Sequence, residues 1–180
     1  MNIIQLSTFD KPAIESHLYR LNSEDRRLRF CSTLTNVAIS NYVEALDPWD
    51  YAAFGAYDGR KLIAFLHVGR CSDGAEIGIS VDEVHRGSGI ARSLLQRAHT
   101  FCLSHGVHEL YMSCLSENRK MQHLARSEGL QLKLLDGEYS AAVTIDATPA
   151  KVATAIYQEL YSAQVTLVDS AFRALLRETA

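Results

Sequence analysis

The chain has 180 residues, 47% of them hydrophobic, which suits one domain with a substantial packed core and leaves no room for several. Its net charge of -3 and pI near 6.1 give no support for a nucleic-acid or membrane-surface role, and no apolar run approaches membrane-spanning length. The four cysteines, Cys31, Cys71, Cys102 and Cys114, form no CxxC pair, and "MNIIQLSTFDKPAIE" has neither a basic n-region nor a long apolar h-region. Free thiols in a reducing cytoplasm, with no signal peptide, are therefore expected.

"NIIQLS" (Asn2 to Ser7) reads as a short strand, and Asp10 as the cap of a helix with Pro12 in its first turn and Leu18 and Leu21 on its apolar side. "NSEDRRLRF" offers a second helix with Ser23 as cap and acids in the first turn. A third runs from about Asn36 to Leu46 and ends before Pro48. Two β-rich runs then flank Asp58-Gly59, a strong hairpin signal. "AEIGISV" (Ala75 to Val81) alternates, with Ile77, Ile79 and Val81 on one face.

"VHRGSGIARSLLQRA" follows, and its helix runs to about Ser104 with Ile90, Ala91, Leu94, Leu95, Ala98, Phe101 and Cys102 on one stripe. "HELYMSCL" (His108 to Leu115) is the next strand. "SENRKMQHLARSEG" is a helix with Ser116 or Glu117 near its start and Gly129 at its end. "LQLKLL", the turn Asp136-Gly137 and "EYSAAVTI" close with a hairpin. This order predicts an α/β (α+β) fold with a mixed sheet and helices on both faces.

The tail differs in character. Thr148 caps, Pro149 fits the first turn, and Val152, Ile156, Leu160, Ala163, Leu167, Ala171 and Ala174 recur at three- and four-residue steps. Residues 1–148 are read as one domain and 149–180 as a helical extension, with Asp169 an alternative cap for a second short helix. The stripe must be buried, either over the sheet or against a second copy, and a homodimer through this extension is expected.

At the start of the long helix, Arg86, Gly87, Ser88 and Gly89 stand side by side. The first N–H groups of a helix have no intrahelical partner and carry the positive end of its dipole, and glycine lets an anion approach the backbone. The stretch reads either as a pyrophosphate cradle, with Arg86 adding charge, or as a tight strand-to-helix turn. It matches neither GxxxxGK[ST] nor GxGxxG.

What it does contain is R-x-x-G-x-A, formed by Arg86, Gly89 and Ala91. With "AEIGISVDEVH" before it and "RSLLQRA" after it, this resembles the acetyl-CoA-binding segment of the GNAT N-acetyltransferase superfamily. "YMSCLSENRKMQHLARSEGLQL" is similar to that family's next strand and Asn-bearing helix, with Asn118 at the Asn position. The likeness covers about Tyr51 to Ile145. It implies a mostly antiparallel mixed sheet flanked by helices, and acetyl-CoA as cosubstrate with no metal. Main-chain groups of Ile79, Ser80 and Val81 would pair with the pantetheine arm. Amides from Gly87, Ser88, Gly89, Ile90 and Ala91, with Arg86 and Arg92, would hold the pyrophosphate, and Asn118 would contact the pantetheine or the acceptor side.

The implied reaction is acetyl transfer to a primary amine of a small molecule or protein, a protein lysine included. It needs a neutral amine and so a base. Glu76, two and four residues before Gly78 and Ser80, is the candidate. The family often places a Tyr seven residues after the Asn to protonate the leaving thiolate; here that position is Ala125. Ser116, His123, Cys114 and Tyr139 are nearby substitutes, and Ser116 is taken as the catalytic candidate among them. A thiolate also leaves well unaided. The missing Tyr gives weight to a second reading, an acyl-CoA-binding regulatory module with little turnover, and a nucleotide-binding regulator is a third.

Other groups read more blandly. His99, Cys102, His105 and His108 recur at three-residue steps, but Cys102 lies on the core stripe, so no metal site is expected. "EDRRLR" is a solvated helix face or an acceptor-binding rim. Trp49, Tyr51 and Tyr57 pack the core or line an acceptor cleft.

Overall fold

A computed structural model describes residues 2–47, 51–71, 74–135 and 138–178; Trp49 and the Asp136-Gly137 turn lie outside them, as do the side chains of Tyr51 and Tyr139. Strand β1 (Ile3–Leu6) leads into a short 3-10 turn. There Asp10 faces backward: its carboxylate accepts from Ser7 N and Ser7 Oγ, each at 2.9 Å, and from the Tyr57 hydroxyl at 2.9 Å. Asp10 therefore closes the turn ahead of α1 (Lys11–Arg20) and makes no side-chain bond to that helix's amides, contrary to its expected role. Helix α2 (Ser23–Phe30) is capped by Asn22, which accepts from Asp25 N at 2.8 Å. The expected cap, Ser23, is already helical, whereas Asn22 has the extended backbone a cap needs. Thr35 caps α3 (Asn36–Glu44) in the same way.

Strands β2 (Tyr51–Asp58) and β3 (Lys61–Cys71) form the hairpin expected around Asp58-Gly59. Then follow β4 (Gly74–Val81), α4 (Ile90–Ser104), β5 (Glu109–Leu115), α5 (Arg119–Ser127), β6 (Gln131–Leu135), β7 (Glu138–Thr144) and α6 (Pro149–Glu178). The seven strands lie in the order β1-β2-β3-β4-β5-β7-β6. All neighbours are antiparallel except β4 and β5, which run parallel because the connection between them crosses over through α4. The mixed, mostly antiparallel sheet is as the sequence implies.

Alternation along the strands fills two cores. On one face Phe54, Leu66, Ile77 and Ile79 meet Leu94, Leu95, Ala98 and Cys102 of α4. On the other, Leu62 and Phe65 meet Ile14, Leu18 and Ile39 from α1 and α3. Each such side chain contributes roughly 1.5–3 kcal/mol by burial. Helix α2 lies over β4 and β5 on this second face.

Helix α6 is continuous over 30 residues, about 45 Å, so Asp169 caps no second helix. Its inner face is Val152, Ala155 and Glu159, with Glu159 paired to Arg97 of α4. Val152 is half-buried against the core as expected, but from Ile156 to Leu167 the apolar stripe expected to be buried lies one position off that face, a rotation of about 100°. It points outward: Leu160 is 64% exposed and Leu167 70%, with Tyr157, Tyr161 and Val168 exposed beside them. Small Ala155 and the Arg97–Glu159 pair decide which face docks on α4, and periodicity alone does not report that.

Candidate functional site

Strands β4 and β5 pair only at Ala75–Leu110 and Glu76–Tyr111. Past Glu76 they part, and the β5-facing edge of β4 is left without a ladder partner. A cleft of about 1050 Å³ opens there, between Ile79, Ser80 and Val81 on one side and Asn118, Met121 and Leu124 on the other. At its head the chain leaves β4, makes a 3-10 turn (Glu83–His85) and enters α4 through Gly87 and Gly89 at φ of +79° and +83°. No side chain caps α4, and its first helical bond runs from Ser93 N to Gly89 O, so the amides ahead of Ser93 have no helical acceptor. A Cβ added at Gly87 or Gly89 would meet nothing within 4 Å. The loop therefore presents bare backbone donors and a positive dipole end to open space, which suits a phosphate group.

Most of the residues expected to bind the cosubstrate line this cleft: Ile79, Ser80, Val81, Arg86, Gly87, Gly89, Ile90, Ala91, Arg92 and Asn118. Ser88 does not; its hydroxyl donates to His85 O at 2.6 Å. The two arginines are engaged locally. Arg86 meets Asp25 at 2.8 Å and donates to Val81 O at 3.1 Å, while Arg92 meets Glu128 at 2.7 Å. Asp25 and Arg29 bring α2 to the cleft wall, so part of "EDRRLR" does border the site. Arg27 bridges Glu24 and Glu117, and its hydrogen bonds hold both carboxyls below their ordinary range. Asn118 caps α5, accepting from Met121 N at 3.1 Å, and Ser116 and Glu117 lie just ahead of the helix, near its start as expected.

The two catalytic candidates are not among the residues lining the cleft. Ser116 donates to Glu117 at 3.2 Å. Glu76 is exposed at the point where the strands part and accepts from Ser113 Oγ at 2.8 Å. It shares the α2-side face of β4 with Gly78 and Ser80. Arg29 lies close over Gly78, where an added Cβ would come within 2.1 Å of its guanidinium and push that flexible side chain aside. Opposite Gly78 in the register is His67, whose pKa is lowered to about 4 by burial and by the charge of Arg29. Ala125 is wholly buried in α5. Tyr57 packs onto Asp10, away from the cleft. Burial pushes the Cys102 thiol up to about 12 and His105 stacks on Phe101, so the three-residue repeat does not converge. Among the described residues no group of three or more His, Cys, Asp or Glu could hold a metal ion, and no helix is long and apolar enough to cross a membrane.

One constellation escaped the sequence. Buried His17 on α1 reaches the sheet, with Nε2 2.9 Å from Ser80 Oγ and Nδ1 3.0 Å from Asp82 Oδ1. Asp82 also meets Lys61 at 2.8 Å and Arg20 at 3.2 Å. Burial works to raise its pKa, but hydrogen bonds from His17 and Lys61 and the charge of Arg20 hold it well below the ordinary carboxylate range. The available signals were a histidine on the apolar side of the first helix and a buried serine at the end of an alternating strand.

A sheet split between its parallel strands β4 and β5, with an uncapped helix start at the head of the split, gives an α/β protein with an elongated cleft whose head suits an anionic group. The chain belongs to the acetyltransferase (GNAT) family, whose sequence pattern matches residues 16–129. Solved structures agree on the fold. The GNAT domain of S. lividans PAT superimposes with a TM-score of 0.70 at 20% identity, over 79% of this chain and 89% of that one. The ribosomal-protein-S18-alanine N-acetyltransferase from Escherichia coli gives 0.64 at 20% identity, over 80% and 93%. Spermidine N-acetyltransferase from Vibrio cholerae, in complex with CoA and spermine, gives 0.64 at 19%, over 81% and 96%. A search of curated proteins returns no match.

Proposed function

We propose that the protein transfers an acetyl group from acetyl-CoA to a primary amine of a small molecule or a protein. The split between β4 and β5 beneath the open Gly87–Gly89 loop carries this reading. Backbone groups of Ile79 to Val81 would pair with the pantetheine arm as an added strand. The α4 amides would take the pyrophosphate, and Arg86 would turn from Asp25 toward it. The acceptor class is supported by the similar structures, one named for a ribosomal-protein alanine and one for spermidine.

At neutral pH an aliphatic amine arrives as ammonium, and Glu76 takes that proton to water. The test is CoA release over a panel of amines. Glu76→Gln should lower turnover at pH 7 by roughly a hundredfold and spare CoA binding, with the loss fading at high pH where the amine is already neutral. Wild-type turnover in the variant at pH 7 would remove Glu76 from the reaction. Buried Ala125 favours a second reading, an acyl-CoA-binding regulator; CoA release with any amine decides against it.

The exposed stripe on α6 supports the further proposal that this helix joins two copies of the chain. Light scattering should give a dimer for the full chain and a monomer for a variant ending near Thr148. Two monomers with equal CoA affinity would end the dimer proposal.

A further inference from the structure

We propose that Ser80 carries the proton from the acceptor nitrogen to the CoA sulfur, with His17 and Asp82 behind it. The inference rests on the acetyl-transfer reading above. Ser80 sits on the stretch of β4 that β5 leaves unpaired, and it lines the cleft. Its hydroxyl is 2.9 Å from Nε2 of His17, which is wholly buried.

The partners fix the tautomer. Asp82 is an ionised acceptor facing Nδ1 at 3.0 Å, so Nδ1 carries the hydrogen and Nε2 is left to accept from Ser80. Arg20 and Lys61, the other charged groups at this carboxylate, can only donate; Arg20 also donates to Leu62 O at 2.6 Å and stands 3.5 Å from Nδ1, farther than the Asp82 oxygen that takes the Nδ1 hydrogen. The one hydroxyl hydrogen of Ser80 is thereby committed to His17, and its lone pairs are left for the cleft. This is the geometry by which a serine, a histidine and an aspartate act as a proton-moving unit on unrelated folds. Ala125 leaves α5 without a hydroxyl at the family's usual place, and Ser80 supplies a route for this proton.

The balance is as follows. The neutral amine attacks the thioester carbon, and the new C–N bond leaves nitrogen with a surplus proton. Ser80 Oγ takes it as its own hydrogen passes to His17 Nε2, and Asp82 holds the resulting imidazolium. The C–S bond breaks, its electron pair leaves on sulfur, and the proton returns through Ser80 Oγ to that sulfur. Amide and CoA thiol are formed, and the three residues are restored. Glu76 handles the first proton of the ammonium and Ser80 the second. Ser80 is the catalytic group; His17 and Asp82 act through it.

The experiment uses the full chain with acetyl-CoA and the best amine from the panel. Ser80→Ala should lower kcat by roughly a hundredfold and leave the CoA Kd unchanged by calorimetry. Its loss should persist at high pH, where that of Glu76→Gln fades, because the second proton is present at every pH. Ser80→Thr, which keeps a hydroxyl and suits a strand, should recover most of the rate. A Ser80→Ala enzyme with wild-type kcat, or a loss seen in CoA affinity in place of kcat, overturns the proposal. So does a Ser80→Thr enzyme as slow as Ser80→Ala with the same melting temperature. Failure of the wild-type protein to bind CoA in the same calorimetry would overturn the acetyl-transfer reading itself, and the relay with it.

Discussion

Gly89→Val is expected to leave a folded protein whose affinity for CoA has fallen by at least roughly a hundredfold, or about 2.7 kcal/mol. Two effects add. At φ +83° a β-branched residue is strained, by about 1–3 kcal/mol, and the loop can relax only by turning the amides at the start of α4 away from the cleft. If it does not relax, the new methyl groups stand in space where the protein places no atom within 4 Å, the approach a phosphate would use. Calorimetry reads the affinity and circular dichroism the fold. Unchanged affinity would remove the glycine loop from the binding site.

Asp82→Ala is expected to cost about 3 kcal/mol of stability at pH 7, because it strands a wholly buried histidine and removes the acceptor shared by Arg20 and Lys61. The pH dependence has a definite sign. The folded-state pKa of Asp82 lies below its ordinary value of 3.8, so its contribution is fully present above that value and is lost as pH falls toward the lowered one. Denaturant melts should show wild type losing stability through this acid window, with Asp82→Ala following a flatter course. Parallel curves would mean that folding does not lower the pKa of this carboxyl.

Local features were legible in the sequence. Asp58-Gly59 announced its hairpin, the apolar spacing after Gly89 announced α4, and alternation put Ile77 and Ile79 on one face. The start of α2 was off by one residue, since Asn22 and Ser23 are both able to cap and only backbone dihedrals choose between them. The glycine loop proposed for the pyrophosphate was legible because its residues lie within six consecutive positions, Arg86 to Ala91. The rest depends on distant partners. His17 and Ser80 are 63 positions apart, and no periodicity joins them. The split beside β4 follows from where β5 stops pairing, and the outward turn of the α6 stripe follows from which small residues dock on α4. Both are tertiary facts.

The parting of β4 and β5 has a consequence for the lifetime of the protein. A sheet interrupted near its middle lacks part of its cohesion until something lies in the gap. A ligand held only by the folded state adds RT ln(1 + [L]/Kd), about 2.7 kcal/mol at a hundred times Kd. If the acyl donor fills the gap, resistance to proteolysis becomes a gauge of how much donor the surroundings contain. Starved of it, the chain would open more often along this seam and be cleared sooner, and digestion rates with and without CoA would record the difference.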